Sequence, residues 1–172
     1  PSTLDGKQVV GIGDGVFQDK KTITGVNIPE GIKSIGHDAF AYTNLQELKL
    51  PTSLEDIGYS ILYGVKGITS IDIPNKLKIA RSYGNGDGPF AGSKIKEVTF
   101  ENGITKIPDN VMNKCTELEK VSLPNTLQEI GEYAFNSCSV LKEIQIPESV
   151  KKIGHDAFAY TNLQELKLPT SL

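Results

Sequence analysis

Four groups of residues have types and spacings that could do chemistry. The first is Gly11-Ile12-Gly13-Asp14-Gly15, directly after Val9-Val10, which has the look of a glycine-rich turn letting backbone amides approach a pyrophosphate. It fails at its third glycine, where Val16 stands. The second is Gly84-Asn85-Gly86-Asp87-Gly88, whose turn could cradle a phosphate, but no Gly-Lys-Ser/Thr follows it. Asn85 and Asp87 also offer oxygens to calcium, yet such a site needs six or more ligands and no acidic cluster accompanies them. The third is the pair His37 and His155, and the fourth is the pair Cys115 and Cys138. No serine or cysteine nucleophile has a histidine in matching register, and no two carboxylates stand apart from ordinary surface charge. No catalytic residue, metal site or cofactor is assigned, and an enzyme is not expected.

The elements that would position these groups explain most of them away. Pro29, Pro51, Pro74, Pro124, Pro147 and Pro169 share one register, with Glu101 in the equivalent place, so the steps are 22, 23, 27, 23, 23 and 22 residues. A second marker keeps the same beat: Val16-Phe17, Ala39-Phe40, Ile61-Leu62, Pro89-Phe90, Val111-Met112, Ala134-Phe135 and Ala157-Phe158. Self-similarity at such a period is the signature of a solenoid. In each unit a run such as Glu47-Leu48-Lys49-Leu50 alternates polar and apolar residues, the period of a strand with one buried face, and the following proline ends its pairing. Beyond it, Leu54 and Ile57 turn inward, Gly36 or Gly58 permits a bend, and Asp38 or Glu132 leads into the apolar pair. An acidic residue there suits the exposed amides of a short helical turn.

The register absorbs the candidate groups. Ile12-Gly13 is the same beat as Ile35-Gly36. His37 and His155 are copies of one position, about five strand spacings or some 24 Å apart, so they share no metal or proton relay; both read as exposed turn residues. Cys115 and Cys138 fill the slot that Thr43 and Thr161 hold elsewhere. Adjacent parallel positions keep Cβ atoms wider than a disulfide prefers, so buried free thiols are expected.

Composition narrows the class further. The chain has 172 residues, 38% of them hydrophobic, enough for one continuous core. Its net charge is -3, from eighteen basic and twenty-one acidic residues in short alternation, so no basic face exists to track nucleic acid. No apolar run is long enough to insert into a membrane, and no leader of the secretory kind opens the chain. The start at Pro1 and the stop at Leu172 within a repeat read as a segment of a longer protein, taken as one domain over residues 1–172 with an inserted loop at 78–90.

The pattern L-x-x-I-x-L-P-x-x-L-x-x-I-G-x-x-A-F-x-x-C-x-x-L, read from Leu118 to Leu141 and again from Leu141 to Leu163, resembles the BspA-like class of leucine-rich repeat. It lacks the asparagine that normally follows the strand and carries proline instead. The resemblance implies an α/β-type leucine-rich-repeat solenoid, with a parallel sheet on the concave face and short helical or 3-10 turns on the convex face, in about seven repeats. It also implies a bacterial cell-surface or secreted protein engaged in adhesion or protein binding.

Two departures from regularity remain. Residues Ile35 to Leu54 are identical to Ile153 to Leu172, which reads as recent copying of a repeat block; deliberate engineering would leave the same trace. The 27-residue step contains Arg81, Tyr83, Asn85 and Asp87 in a polar, glycine-rich insert, which should protrude as a loop, either a recognition element or a tolerated insertion. The concave face is expected to show two polar columns, including Glu47, Ser70, Glu97, Lys120 and Glu143 in one and Lys49, Asp72, Thr99, Ser122 and Gln145 in the other. Neither column holds an aromatic ring, so a protein or peptide partner suits this face better than a glycan. The expected role is a binding or adhesion module; the alternative is a spacer presenting another domain, and oligomeric state is not addressed by the sequence.

Overall fold

The structure is a computed structural model, and it describes residues 3–4, 6–84 and 86–170. Twelve short strands occur among them: β1 (Thr3–Leu4), β2 (Lys7–Gln8), β3 (Gly11–Ile12), β4 (Ser34–Ile35), β5 (Asp56–Ile57), β6 (Ser70–Ile73), β7 (Ile79–Ala80), β8 (Glu97–Phe100), β9 (Lys106–Ile107), β10 (Lys120–Ser122), β11 (Glu129–Ile130) and β12 (Lys152–Ile153). Apart from the antiparallel pair β1–β2, every pairing is parallel between successive coils, so the chain winds as a parallel β-solenoid.

The alternating Leu-x-Leu segment builds the concave sheet, in the order β10-β8-β6. Ser70 and Asp72 are exposed while Ile71 and Ile73 are buried, and Glu97, Thr99, Val98 and Phe100 repeat that alternation one coil on. One strand per unit was expected, and the structure corrects this. Glu47–Leu50 and Glu143–Ile146 keep the alternation, with Leu48, Leu50 and Ile144 buried, yet neither segment pairs with β6 or β10. Each is tied instead to its outer neighbour, through the Gln46 N–H to the Thr24 carbonyl (3.0 Å) and the Gln164 N–H to the Lys142 carbonyl (3.2 Å).

A second line of parallel pairing runs through the Ile-Gly position, where the sequence suggests only a bend. It joins β3-β4-β5-β7 and, past the insert, β9-β11-β12. Ile12, Ile35, Ile57 and Ala80 lie in register, as do Ile107, Ile130 and Ile153. The glycines after Ile35, Ile57, Ile130 and Ile153 serve close approach, not backbone bending. A Cβ on Gly58 would sit 2.5 Å from the Gly36 carbonyl carbon, and one on Gly131 would sit 2.6 Å from the Ile107 oxygen. A side chain at these glycines would meet neighbouring backbone, whereas Arg81 keeps the equivalent bond, from its N–H to the Ile57 carbonyl at 2.8 Å, with its side chain in place.

The convex side holds turns and, among the described residues, no helix. The expected helical or 3-10 turns fail because the amides bond outward to the next coil. Asp38, Phe40 and Tyr42 donate to the carbonyls of Tyr59, Ile61 and Tyr63 at 3.1, 3.1 and 2.8 Å; Tyr133, Phe135 and Ser137 repeat this with His155, Ala157 and Ala159. Turning alternate peptide units along the solenoid axis requires left-handed backbone at Asp38 (φ 53), Tyr42 (φ 59), Tyr133 (φ 54) and Ser137 (φ 59). That conformation costs on the order of 1 kcal/mol per non-glycine residue, offset by the ladder it completes. Nor does Asp38 cap a helix. In these turns Asp14 and Asp109 accept the N–H of His37 (2.8 Å) and Glu132 (3.0 Å) from the following coil.

Between these walls lies one apolar core. Phe40, Phe90 and Phe135 are fully buried, Phe17 stacks on Phe40 and Phe135 on Phe158 with ring centroids 5.5 Å apart in both pairs. Outside it, Lys106, Glu129 and Lys152 stand in register on β9, β11 and β12, with Nζ–Oε1 distances of 3.1 and 3.0 Å to Glu129. The hydrogen bonds from Lys152 and then Lys106 hold the Glu129 carboxyl below the usual carboxylate range. A carboxyl whose folded pKa is depressed adds stability above its unfolded pKa, and the gain disappears as the pH falls through the folded value. Glu129→Gln should therefore cost under about 1 kcal/mol near pH 7, because both lysines are well exposed. In urea melts the gap between the two proteins should close as the pH falls below 4; a gap independent of pH would remove the ionic account.

Candidate binding face

The concave sheet gathers the predicted columns onto one surface. Ser70 and Asp72 rise from β6, Glu97 and Thr99 from β8, and Lys120 and Ser122 from β10, with Glu47 and Lys49 on one flank and Glu143 and Gln145 on the other; all ten are exposed. Their position follows from the strand period, since the residues between them point into the core. Charges alternate loosely along the face. Lys120 reaches Glu97 at 4.0 Å and Lys96 reaches Glu119 at 3.2 Å, both as exposed pairs that contribute little to stability.

Two grooves flank the three-stranded sheet, where the neighbouring coils leave its edges unpaired. One, of about 580 Å³, runs between Glu47–Leu50 and Ser70–Asp72. The other, of about 840 Å³, runs between Lys120–Leu123 and Glu143–Glu148. Their floors carry the inward apolar residues and their rims the polar columns.

The insert joins a different surface. Arg81 donates to both Asp56 oxygens, from Nε at 3.0 Å and Nη2 at 2.5 Å, and this pairing raises the guanidinium pKa further. Tyr83 pairs with Asp87 across a short antiparallel bridge, and Asp87 accepts Lys114 Nζ at 2.7 Å. Asn85 lies outside the described residues. The insert is tied beside the Ile-Gly ladder and not to the concave columns, and Arg81, Ser82, Tyr83 and Gly84 are exposed, as expected of a protruding loop.

Tyr83 also completes a feature that sequence reasoning missed. Its ring meets Tyr59 at 5.0 Å, and Tyr59 stacks on His37 at 3.9 Å, so three rings from three coils form a short pile. His37 is half-buried here, and its Nδ1 accepts the Tyr59 N–H at 3.2 Å, so it is not the freely exposed residue expected. Burial raises the Tyr59 phenol, assisted by the charge of Asp38, and burial likewise raises the Asp38 carboxyl. Register could have paired positions 37 and 59, but nothing in it places Tyr83. His155 stays exposed, with Tyr133 edge-on at 5.6 Å.

Cys115 and Cys138 are buried free thiols whose Sγ atoms donate to the Phe90 and Met112 carbonyls at 3.4 and 3.3 Å. Burial pushes Cys138 up to about 12 and Cys115 well above its ordinary value, so neither supplies a thiolate nucleophile near neutral pH. Among the described residues no group of three or more His, Cys, Asp or Glu side chains gathers as a metal site would require, and no helix is long and apolar enough to cross a membrane.

The comparisons agree with the solenoid. A model of the BspA type leucine rich repeat region matches residues 10–84 and 86–172 in six copies, against the seven units suggested by the apolar pairs. A crystal structure of a leucine-rich repeat protein from Bacteroides ovatus is 30% identical, with a TM-score of 0.77, over 94% of this chain and 41% of its own. One from Eubacterium ventriosum is 23% identical, with a TM-score of 0.59, over 99% of this chain and 47% of its own, and bears on the fold alone. The chain thus spans less than half the length of each. No curated protein matches it.

Proposed function

The chain belongs to the BspA-type leucine-rich-repeat family, and from that membership and its exposed columns we propose a non-enzymatic protein-binding or adhesion module of a bacterial surface or secreted protein. The observation that carries the reading is the concave face: five successive coils present ten polar side chains on one surface, backed by a continuous core. Curved repeat arrays use such faces because the scaffold keeps the side chains in fixed relation, so little ordering entropy is lost on binding. The uninterrupted stacking of coils also suits a stiff spacer, which would present another domain and bind nothing itself.

Binding to a panel of immobilised matrix proteins and glycans separates these roles. For any ligand found, the triple variant Glu97→Lys, Lys120→Glu and Glu143→Lys should weaken binding at least about tenfold, or 1.4 kcal/mol. Unchanged binding by the triple variant would rule out the concave face as the contact surface, and silence across the panel would favour the spacer.

A further inference from the structure

We propose that His37 is a pH-sensitive catch: its neutral ring holds the Tyr59–Tyr83 pair against the solenoid, and protonation between about pH 8 and pH 5 opens that contact. The closed state has a defined proton arrangement. The Tyr59 N–H donates to His37 Nδ1 at 3.2 Å, and a backbone amide can only donate, so Nδ1 bears no proton here. The imidazole lies nearly flat on Tyr59, with centroids 3.9 Å and planes 17° apart, and Tyr59 meets Tyr83 at 5.0 Å. A proton added at Nδ1 sets two donors against each other. The hydrogen bond is then lost and the ring must turn.

The charges around the ring favour that turn. From the preceding coil, Asp14 Oδ1 accepts the His37 N–H at 2.8 Å, and Asp38 follows on the same coil, its carboxyl under the influence of both His37 and Asp14. The following coil contributes Tyr59 and Asp56, and the insert contributes Tyr83 and Arg81. Arg81 is committed to Asp56 through Nε at 3.0 Å and Nη2 at 2.5 Å, so the one cation of this group is already paired while Asp14 and Asp38 can receive an imidazolium. Opening leaves the coils joined. Asp38 keeps its N–H on the Tyr59 carbonyl at 3.1 Å, and the insert keeps its Arg81–Asp56 and Lys114–Asp87 pairs. What is freed is the aromatic pair, whose outer member Tyr83 is already 64% exposed. His155 provides the contrast within one molecule. It stands in the same local sequence, but among the described residues no backbone amide donates to its ring, which lies 3.2 Å from Asp156.

Amide hydrogen exchange of the whole chain tests the catch, each rate being divided by the intrinsic rate at its pH. The Tyr59 amide should be protected at pH 8 and lose at least about tenfold of that protection at pH 5. The Tyr133 amide, which donates to the His155 carbonyl at 2.9 Å, should stay protected at both. Nuclear Overhauser contacts between the His37 and Tyr59 rings should be present at pH 8 and absent at pH 5, and the Tyr83 ring signals should move over the same range. His37→Phe keeps a ring to stack but offers no acceptor. In that variant Tyr59 should be equally unprotected at both pH values and the Tyr83 signals should stay fixed. Retained Tyr59 protection at pH 5, retained contacts between the two rings there, or a Tyr83 movement that survives in His37→Phe would overturn the proposal, the last by assigning the change to Asp14 or Asp38. Equal losses at Tyr59 and Tyr133 would mean general unfolding and would overturn it as well.

Discussion

Truncating Phe135 to alanine should destabilise the protein by about 3–5 kcal/mol, the range for a fully buried aromatic. Phe135 has no exposed surface, stacks on Phe158 at 5.5 Å and meets the edge of Phe100 at 6.1 Å. Its loss therefore leaves a gap shared by three coils. Collapse around the gap is hindered because the same coils are held at fixed spacing by the amide ladders of Phe135 to Ala157 and Met112 to Ala134. In a solenoid each coil touches only its neighbours, so the effect should also be local. Hydrogen exchange should accelerate far more at residues 107–160 than at 34–62. Phe158→Ala is the comparison, since that ring is only half-buried and should cost less. A loss below about 1.5 kcal/mol for Phe135→Ala would mean that the column closes over the cavity after all.

Much of the architecture was readable because burial imposes a period. The alternation at Ser70–Ile73 and Glu97–Phe100 needs only one fact, that one sheet face meets the core, and the apolar pairs mark the column that fills it. The convex side was not readable for a physical reason. An Asp-Ala-Phe-Ala-Tyr run suits a helical turn by local preference, but its amides have carbonyls waiting in the next coil, and that contact overrides the preference by forcing Tyr42 and Tyr133 into left-handed backbone. Two-residue strands such as β4 and β5 carry no periodicity to detect. The splits beside β6 and β10 were equally hidden, since Leu48 and Leu50 alternate just as Ile71 and Ile73 do.

The duplicated block makes the same point with sequence held constant. His37 and His155 sit in identical local sequence, yet His37 is stacked and hydrogen-bonded to Tyr59 while His155 is exposed and lies 3.2 Å from its own neighbour Asp156. The partner of His37 comes from the next coil, through Tyr59, and not from its own local sequence. The polar columns could be listed from sequence because they depend on one strand at a time, whereas the ring pile of His37, Tyr59 and Tyr83 depends on three coils and on an insert whose course no register predicts.

Substituting Gly58 by alanine should cost about 3 kcal/mol, at the upper end for overpacking, because the added methyl meets backbone that has no rotamer with which to yield. Its nearest neighbours would be the Gly36 carbonyl carbon and the His37 nitrogen, each at 2.5 Å, in a coil fixed by the β4–β5 pairing. Gly13 holds the same place after Ile12, but a Cβ there would meet only Val16 Cγ2, at the ordinary distance of 3.4 Å. If these glycines are needed for bending, Gly13→Ala and Gly58→Ala should be similarly harmful. If they are needed for close approach, Gly13→Ala should stay within about 0.5 kcal/mol of the parent, as expected for a surface change away from special features. Exposed Gly25, with nothing within 4 Å of a Cβ, should behave like Gly13. Chemical denaturation of the three variants decides between the accounts, and equal losses at Gly13 and Gly58 would discard the close-approach explanation. On that explanation the glycine is needed where backbone of the preceding coil lies as near as Gly36 and His37 lie to Gly58, and Arg81, which keeps the same ladder bond to the Ile57 carbonyl at 2.8 Å, shows that the ladder alone does not demand it.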